Sequence, residues 1–226
     1  MSRLMAVGIV MMLMGSVCLA HADQMDDVVQ TLIREASEES LEDVESTLLR
    51  LGPMAVDSLV RLLASDDNAL RMTAVRVLGS MDHTIDEKLF QALRDDRWKV
   101  RVAAVSALAH HQSEMVVKHL LTKLHDLHPS VRSASARALG RIGNAEAIDS
   151  LILALQDAQR IVRKSAAKAL GRIGDPRAIV PLIAILQEGG VVQRESMRAL
   201  AHIGPPAIQP LSAIVSDGNQ NASVRQ

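Results

Sequence analysis

Seven Lys and Arg side chains recur at three fixed positions of three similar segments in the second half of the sequence. These are the third, seventh and eleventh positions of each segment, four residues apart, so on a helix we expect them to form one exposed stripe. No Asp or Glu occupies any of the nine corresponding positions. A surface of this kind attracts anions, which in a protein partner are Asp and Glu side chains. The candidate binding residues are Arg137, Arg141, Lys164, Lys168, Arg172, Arg194 and Arg198.

The same seven residues have a simpler interpretation, in which they are ordinary solvated residues of a helix surface. The distribution of charge along the chain agrees with a basic surface in its second half, on which both interpretations rest. Residues 23–96 contain 7 Lys and Arg against 17 Asp and Glu, a net charge of −10, whereas residues 97–226 contain 17 against 9, a net charge of +8. On the binding hypothesis, the expected partner is an acidic protein segment. The same polarity makes head-to-tail self-association a further hypothesis.

A second series of basic residues follows the acidic turns of the sequence. Each member comes five or six residues after an Asp, and the members are Arg71, Arg101, Arg132 and Arg163. One interpretation is a row of ligands for an anion. The acids recur in step with the arginines, so we predict instead a ladder of ion pairs that also bonds backbone carbonyls. Gln193 replaces the next member of the series, and we expect a looser junction there.

Histidines raise the question of a metal site. They cluster at His110, His111, His119, His125 and His128, and the last two have the spacing of a ligand pair. Cys18 is the only cysteine, and no His is followed by Glu. Surface histidines without carboxylate partners are the alternative, and we expect neither a metal nor a cofactor.

Enzymatic chemistry and nucleic-acid binding find little support in the residue types. The sequence contains no Gly-rich phosphate loop, nucleophile elbow or defined Ser/His/Asp motif, so we expect a non-catalytic protein without catalytic residues. Aromatic residues make up only 1% of the chain, which argues against stacking on single-stranded bases. No motif that reads a duplex is present, so we expect no nucleic-acid partner.

A repeated segment must position the candidate binding residues. Val131–Gly143 nearly recurs 31 residues later as Val162–Gly174, which is typical of an array of stacked units. Positions 1, 5, 8, 9 and 12 of these two copies form one stripe of a helix that we predict to serve stacking, and they are apolar except for Ser135. Copies separated by 30 or 31 residues begin at Leu70, Val100, Val131, Val162 and Val192.

A second amphipathic segment precedes each of these copies. Pro53–Leu63 is the clearest example, with Pro in the first turn, and Pro176–Leu186 repeats it. An acidic turn then leads into the second helix. Two such helices cannot bury their apolar sides alone, but stacked pairs bury a continuous core.

The pattern Val-Arg-x-x-Ala-x-x-Ala-Leu-Gly-x-Ile-Gly-Asp, found at Val162–Asp175, resembles the HEAT repeat family. More narrowly, it resembles the HEAT-like repeats of phycobilisome (bilin) lyases. The resemblance covers Pro53 to about Asp217. It implies an all-α, right-handed α-solenoid of stacked antiparallel helix pairs, HEAT/armadillo-like, with the second helices on a concave inner surface. It implies no particular activity.

The first residues have the features of an export signal. Arg3 supplies a positive charge, Leu4 to Leu19 is mainly apolar, and Ala20-His21-Ala22 is a cleavage motif. We expect cleavage after Ala22 and a periplasmic mature chain without a membrane span. The alternatives are an uncleaved membrane anchor and lipidation of Cys18.

Together these features predict four regions. They are a signal peptide (1–22), an acidic N-terminal helical cap (23–52), a HEAT-like array (53–217) and a polar C-terminal tail (218–226). The predicted function is that of a bacterial, exported, non-catalytic scaffold or adaptor that binds a protein. The alternative is an accessory or maturation factor, or a lyase-like chaperone, for a cofactor-bearing protein.

Overall fold

The computed structural model describes residues 22–34 and 41–216, and this part of the chain is entirely helical and without strands. Residues 1–21 of the predicted signal peptide and the predicted tail lie outside it. None of the described helices is long and apolar enough to cross a membrane. The helices are α1 (Ala22–Arg34), α2 (Leu41–Leu51), α3 (Pro53–Leu62), α4 (Asn68–Ser80), α5 (Asp86–Ala92), α6 (Trp98–Leu108), α7 (Glu114–Lys123), α8 (Pro129–Ile142), α9 (Ile148–Ala154), α10 (Arg160–Ile173), α11 (Ile179–Ala184), α12 (Gly190–Ile203) and α13 (Ile208–Ser216).

Short 3₁₀ turns lead into several of the first helices of the repeats. Pro176–Ala178 precedes α11 and Pro205–Ala207 precedes α13, so proline lies where its missing N–H leaves no helical bond unmade. Backbone contacts divide the chain into two compact units, with the division between Lys88 and Leu89.

In the first unit, α1 and α2 pack on α3 and α4. Leu48, Leu59 and Leu70 are fully or almost fully buried among them. Two ion pairs add to this packing. Arg61 of α3 holds Asp26 of α1 with two hydrogen bonds of 2.7 and 2.5 Å, and the Nε of Arg76 in α4 lies 2.6 Å from Glu45 in α2. Helices α1 and α2 lie in the region predicted as an acidic cap, and its role as a cap stays a prediction.

The second unit contains the best-matched repeats. Helices α6, α8, α10 and α12 contact one another in succession, as the 30- and 31-residue spacing predicts. Their first apolar position is buried in every copy, at Val100, Val131, Val162 and Val192. The ninth position is likewise buried, at Leu108, Leu139, Leu170 and Leu200. The α8 and α10 helices end at Gly143 and Gly174, whose φ values of 77° and 76° favour glycine.

One detail of the predicted exposed stripe is wrong. Ser133, at the third position of α8, is only 1% exposed because α10 lies against it. Its Oγ is 2.8 Å from the Oγ of Ser165 in α10. Ser135, which was predicted to serve stacking, is fully buried, and its Oγ has no hydrogen-bond partner within the described residues. Serine is therefore accommodated at this position because its side chain is small, and not because it makes a hydrogen bond.

Candidate anion-binding surface

The seven predicted cations lie on three successive helices of the second unit, and we call them together the basic face. Helix α8 carries Arg137 and Arg141, α10 carries Lys164, Lys168 and Arg172, and α12 carries Arg194 and Arg198. Six of them are exposed and Lys164 is half-buried. Because α8, α10 and α12 contact one another in order, the structure brings all seven predicted residues onto one helical layer.

Most of the basic face is not neutralised by the protein. Five of its members have no hydrogen-bond or ion-pair partner among residues 22–34 and 41–216, and these are Arg137, Lys164, Lys168, Arg172 and Arg194. Arg198 bonds Glu195 at 3.0 Å, and its side chain stays 73% exposed. Because these cations have few or no internal partners, their charge is available to an external anion.

Arg141 has a different neighbour, which the sequence analysis missed. Its Nη1 donates to Nε2 of His110, in the turn that follows α6, at 2.9 Å. Both residues occupy the eleventh position of their repeat segments, 31 residues apart. The repeat spacing could therefore have predicted this contact. Burial and, next, the positive charge of Arg141 lower the pKa of His110, with a further contribution from His111. The pair therefore favours neutral His110 beside the cationic Arg141.

The predicted ladder of ion pairs is confirmed in the second unit. Arg101 holds Asp126 and Arg132 holds Asp157, each through two hydrogen bonds of 2.7 to 2.8 Å, and Arg163 bonds Glu188 at 2.8 Å. Partners are 25 residues apart in every case, so each Arg reaches the acidic turn of the next repeat.

Each ladder arginine also binds its own turn. Arg132 donates from Nη1 to the carbonyls of Asp126 and Leu127 at 2.9 and 3.2 Å, and Arg101 and Arg163 make equivalent bonds. Arg71, in the first unit, bonds the Ser65 carbonyl in the same way at 2.6 Å. The ladder therefore has a structural role, and its arginines are distinct from the basic face.

The ion pairs of the ladder lower the pKa of two of its carboxyl groups. The hydrogen bonds from Arg132 lower the pKa of Asp157 against the opposing effect of burial. At Asp126 burial raises the pKa, but the bonds from Arg101 and the His128 backbone outweigh it, so the pKa is again lowered. Both carboxylates are therefore ionised in the folded protein at neutral pH.

Two of the clustered histidines have packing roles. His119 stacks on Phe90 with ring centroids 3.9 Å apart, and His128 stacks on Trp98 at 4.1 Å. His128 also caps α8, because its Nδ1 accepts the Ser130 N–H at 3.3 Å. The sequence analysis missed both stacks, although these are the only two aromatic residues of the chain apart from the histidines.

Comparison with known structures gives the fold a context. An engineered protein of known crystal structure is 25% identical, with 81% of this chain and 93% of that chain covered and a TM-score of 0.53. A designed armadillo repeat protein in complex with the peptide (KR)4 is 21% identical over 81% and 95% of the two chains, with a TM-score of 0.55. The complex of CpcE and CpcF of phycocyanin lyase from Nostoc sp. PCC7120 is 21% identical over 88% and 84%, with a TM-score of 0.47.

No curated protein sequence matches the chain. The profile of the HEAT repeats family matches residues 87–160 and 117–201, which together span just over half of the sequence. The predicted fold class is confirmed by the helical repeats and by the armadillo-like structural similarity, which identify an α-solenoid. The chain belongs to the HEAT repeat family.

Proposed function

We propose that the protein is an exported, non-catalytic HEAT-repeat scaffold that binds an acidic segment of a partner protein through its basic face. The observation that carries this proposal is the set of five exposed or half-exposed cations, on three adjacent helices, that have no partner within the described residues.

The contrast with the ladder supports this assignment. Arg101 and Arg132 are mostly buried, with side chains 13% and 16% exposed, and each holds a carboxylate of the next repeat. Arg137 and Lys168 stand on the same helical layer but have no such duty. Ion pairing between repeats therefore explains the arginines of the ladder. It does not explain the cations of the basic face, which are available to a ligand.

Several contacts must act together for useful affinity. One exposed ion pair contributes about 0.2–1 kcal/mol, and salt screens it over about 8 Å at physiological ionic strength. A single carboxylate would therefore bind weakly, whereas a segment that contacts several cations gains from each. We expect an acidic partner segment with several Asp or Glu residues and a binding strength that falls with salt.

Repeat proteins of this architecture offer extended surfaces to their ligands. The designed armadillo repeat protein is in complex with a basic peptide, (KR)4. The basic face of this protein is positively charged. We therefore expect it to prefer an acidic peptide, which is opposite in charge to (KR)4.

Export is the second part of the proposal. Its support is the sequence at the N-terminus, where a positive charge, an apolar run and Ala20-His21-Ala22 occur in the order of a secretion signal. Expression in a bacterial host with separation of periplasm and cytoplasm tests it. We expect periplasmic protein whose intact mass corresponds to a chain that begins at Asp23. Cytoplasmic protein that retains Met1 would contradict export.

Binding is tested with a fluorescein-labelled peptide of ten glutamates. The charge-reversal variant Lys164→Glu/Lys168→Glu/Arg172→Glu removes the cations of α10. The matched control Arg50→Glu/Arg94→Glu/Lys118→Glu changes the net charge equally at exposed sites off the basic face.

Fluorescence anisotropy at low and physiological salt measures binding, and circular dichroism confirms helicity. We expect the reversal to lower affinity at least tenfold and the control by about twofold or less. Equal losses in both variants, or no binding by the unaltered protein at low salt, would overturn the proposal.

A further inference from the structure

The basic face has an internal order that restricts its ligand. Its residues form three rows across the helices, at the third, seventh and eleventh positions. The third row is interrupted by the buried Ser133, and the eleventh row ends at His202. The seventh row alone has a Lys or Arg on all three helices, namely Arg137, Lys168 and Arg198. All three of these side chains are exposed.

The spacing of the seventh row follows from the helix packing. Packed helices lie about 8–10 Å apart, and small contact residues favour the shorter distance. Gly140 of α8 meets Ala169 of α10, and Gly171 of α10 meets Ala199 of α12. Since the same Gly–Ala contact occurs at both junctions, the three cations of the row are close to evenly spaced.

Different backbone conformations present carboxylates at different intervals. A polyproline II segment has three residues per turn and rises about 3.1 Å per residue, so every third side chain is on one side at intervals of about 9 Å. A β-strand repeats every second residue, at intervals of about 7 Å. Helical neighbours at i and i+3 or i+4 lie about 5–6 Å apart. Of these three intervals, only that of polyproline II falls within the range of about 8–10 Å that is typical of packed helices.

We therefore propose that the basic face takes an extended, polyproline II-like segment with Asp or Glu at every third position. The segment lies across α8, α10 and α12, with one carboxylate at each of Arg137, Lys168 and Arg198. This inference rests on the proposed function and specifies the partner's conformation and sequence period.

Glu195 is an internal competitor at the end of the row. Its Oε1 lies 3.0 Å from Nη1 of Arg198, and its side chain is only 14% exposed. An arriving carboxylate must share Arg198 with this residue. Replacement of Glu195 by Gln removes the competing charge without changing the size of the side chain, so it strengthens binding of the third carboxylate.

Three fluorescein-labelled peptides of one composition test the spacing. Each has three Glu residues in a Pro- and Ser-rich sequence that favours polyproline II, with the Glu residues three apart, two apart or contiguous. We expect the three-apart peptide to bind the full-length protein about three- to tenfold more tightly than the other two. Equal binding of all three overturns the spacing inference and leaves the proposed function standing. Failure of all three to bind, at low salt, overturns both.

Single substitutions then identify the cations that the three-apart peptide contacts. Arg137→Gln, Lys168→Gln and Arg198→Gln each remove the preference for three-residue spacing, because each takes one cation from the row. Lys164→Gln lowers affinity for all three peptides and leaves the preference intact, since Lys164 is outside the row. Glu195→Gln raises affinity for the three-apart peptide about two- to fivefold. A preference that survives Lys168→Gln would exclude the seventh row as the binding line.

Discussion

Gly140 of α8 faces Ala169 of α10 so closely that a Cβ placed on Gly140 would lie 2.5 Å from the Ala169 Cα. Gly171 and Ala199 repeat this contact at the next junction, at 2.6 Å. The opposing atom is backbone, so a side chain cannot be accommodated by rotation of its neighbour. The distance between helices at these two junctions therefore depends on glycine.

Gly140→Ala is therefore expected to destabilise the protein, although Ala is the better helix former. Helix propensity favours Ala by about 0.5–1 kcal/mol, whereas forced separation of packed helices costs about 1–3 kcal/mol. With the middle of each range, about 2 and about 0.75 kcal/mol, we expect a net loss of about 1 kcal/mol in urea unfolding.

The tenth position of α12 supplies the control for this prediction. It is Ala201, which is exposed. Ala201→Gly is expected to cost only the propensity difference of about 1 kcal/mol or less. An increase in the stability of Gly140→Ala by about 0.5–1 kcal/mol, the full propensity gain, would show that the helices separate there without cost.

The ladder gives a second prediction. Arg132 and Asp157 are mostly buried, so Arg132→Ala leaves a carboxylate without its partner and two turn carbonyls without a donor. We expect a loss of about 1–3 kcal/mol in the free energy of unfolding. Arg160→Ala, at an exposed position of the same turn region, is the control and should change stability by about 0.5 kcal/mol or less. A double variant with Asp157→Asn should lose less than the sum of the two single losses.

Acid should weaken the same contact. Because the pKa of Asp157 is lower in the folded protein than its ordinary value, its contribution to stability is present above the unfolded pKa of about 3.9 and is lost as pH falls through the folded pKa. The difference in unfolding free energy between the unaltered protein and Asp157→Asn should therefore shrink between pH 5 and pH 3. A constant difference over that range would contradict an ionised Asp157 as the source of stability.

Sequence reasoning recovered the parts of this structure that depend on period. The apolar stripe places Val131 and Leu139 in the core, and acids in step with arginines predict the Arg132–Asp157 pair. It failed at Ser133, because a polar residue at an exposed-looking position becomes buried when Gly140 lets the next helix approach. The distance between two helices depends on the side chains of both. It could therefore not be predicted from the residue pattern of one helix.

The basic face, too, could be predicted from the sequence only in part. Its seven members could be selected from the sequence, since each occupies a fixed repeat position. That Arg198 bonds Glu195 and Arg141 bonds His110 could not be read from charge alone. Both contacts depend on side-chain reach within and between neighbouring helices. The candidate surface was therefore predicted as a set of residues, and the structure added which of them are already engaged.

The Arg141–His110 contact leads to the final prediction. Burial, then the charge of Arg141, lowers the pKa of His110, so the stability it contributes is present above the unfolded pKa of about 6.5 and is lost as pH falls through the folded pKa. Arg141→Gln removes the nearby positive charge and keeps a donor, so the pKa of His110 should rise while remaining lowered by burial. NMR titration of the His110 ring measures this directly, with Arg172→Gln as the control because it has no bond to His110. A His110 pKa that moves equally in both variants would show that Arg141 acts through the overall field of the basic face and not through its 2.9 Å contact.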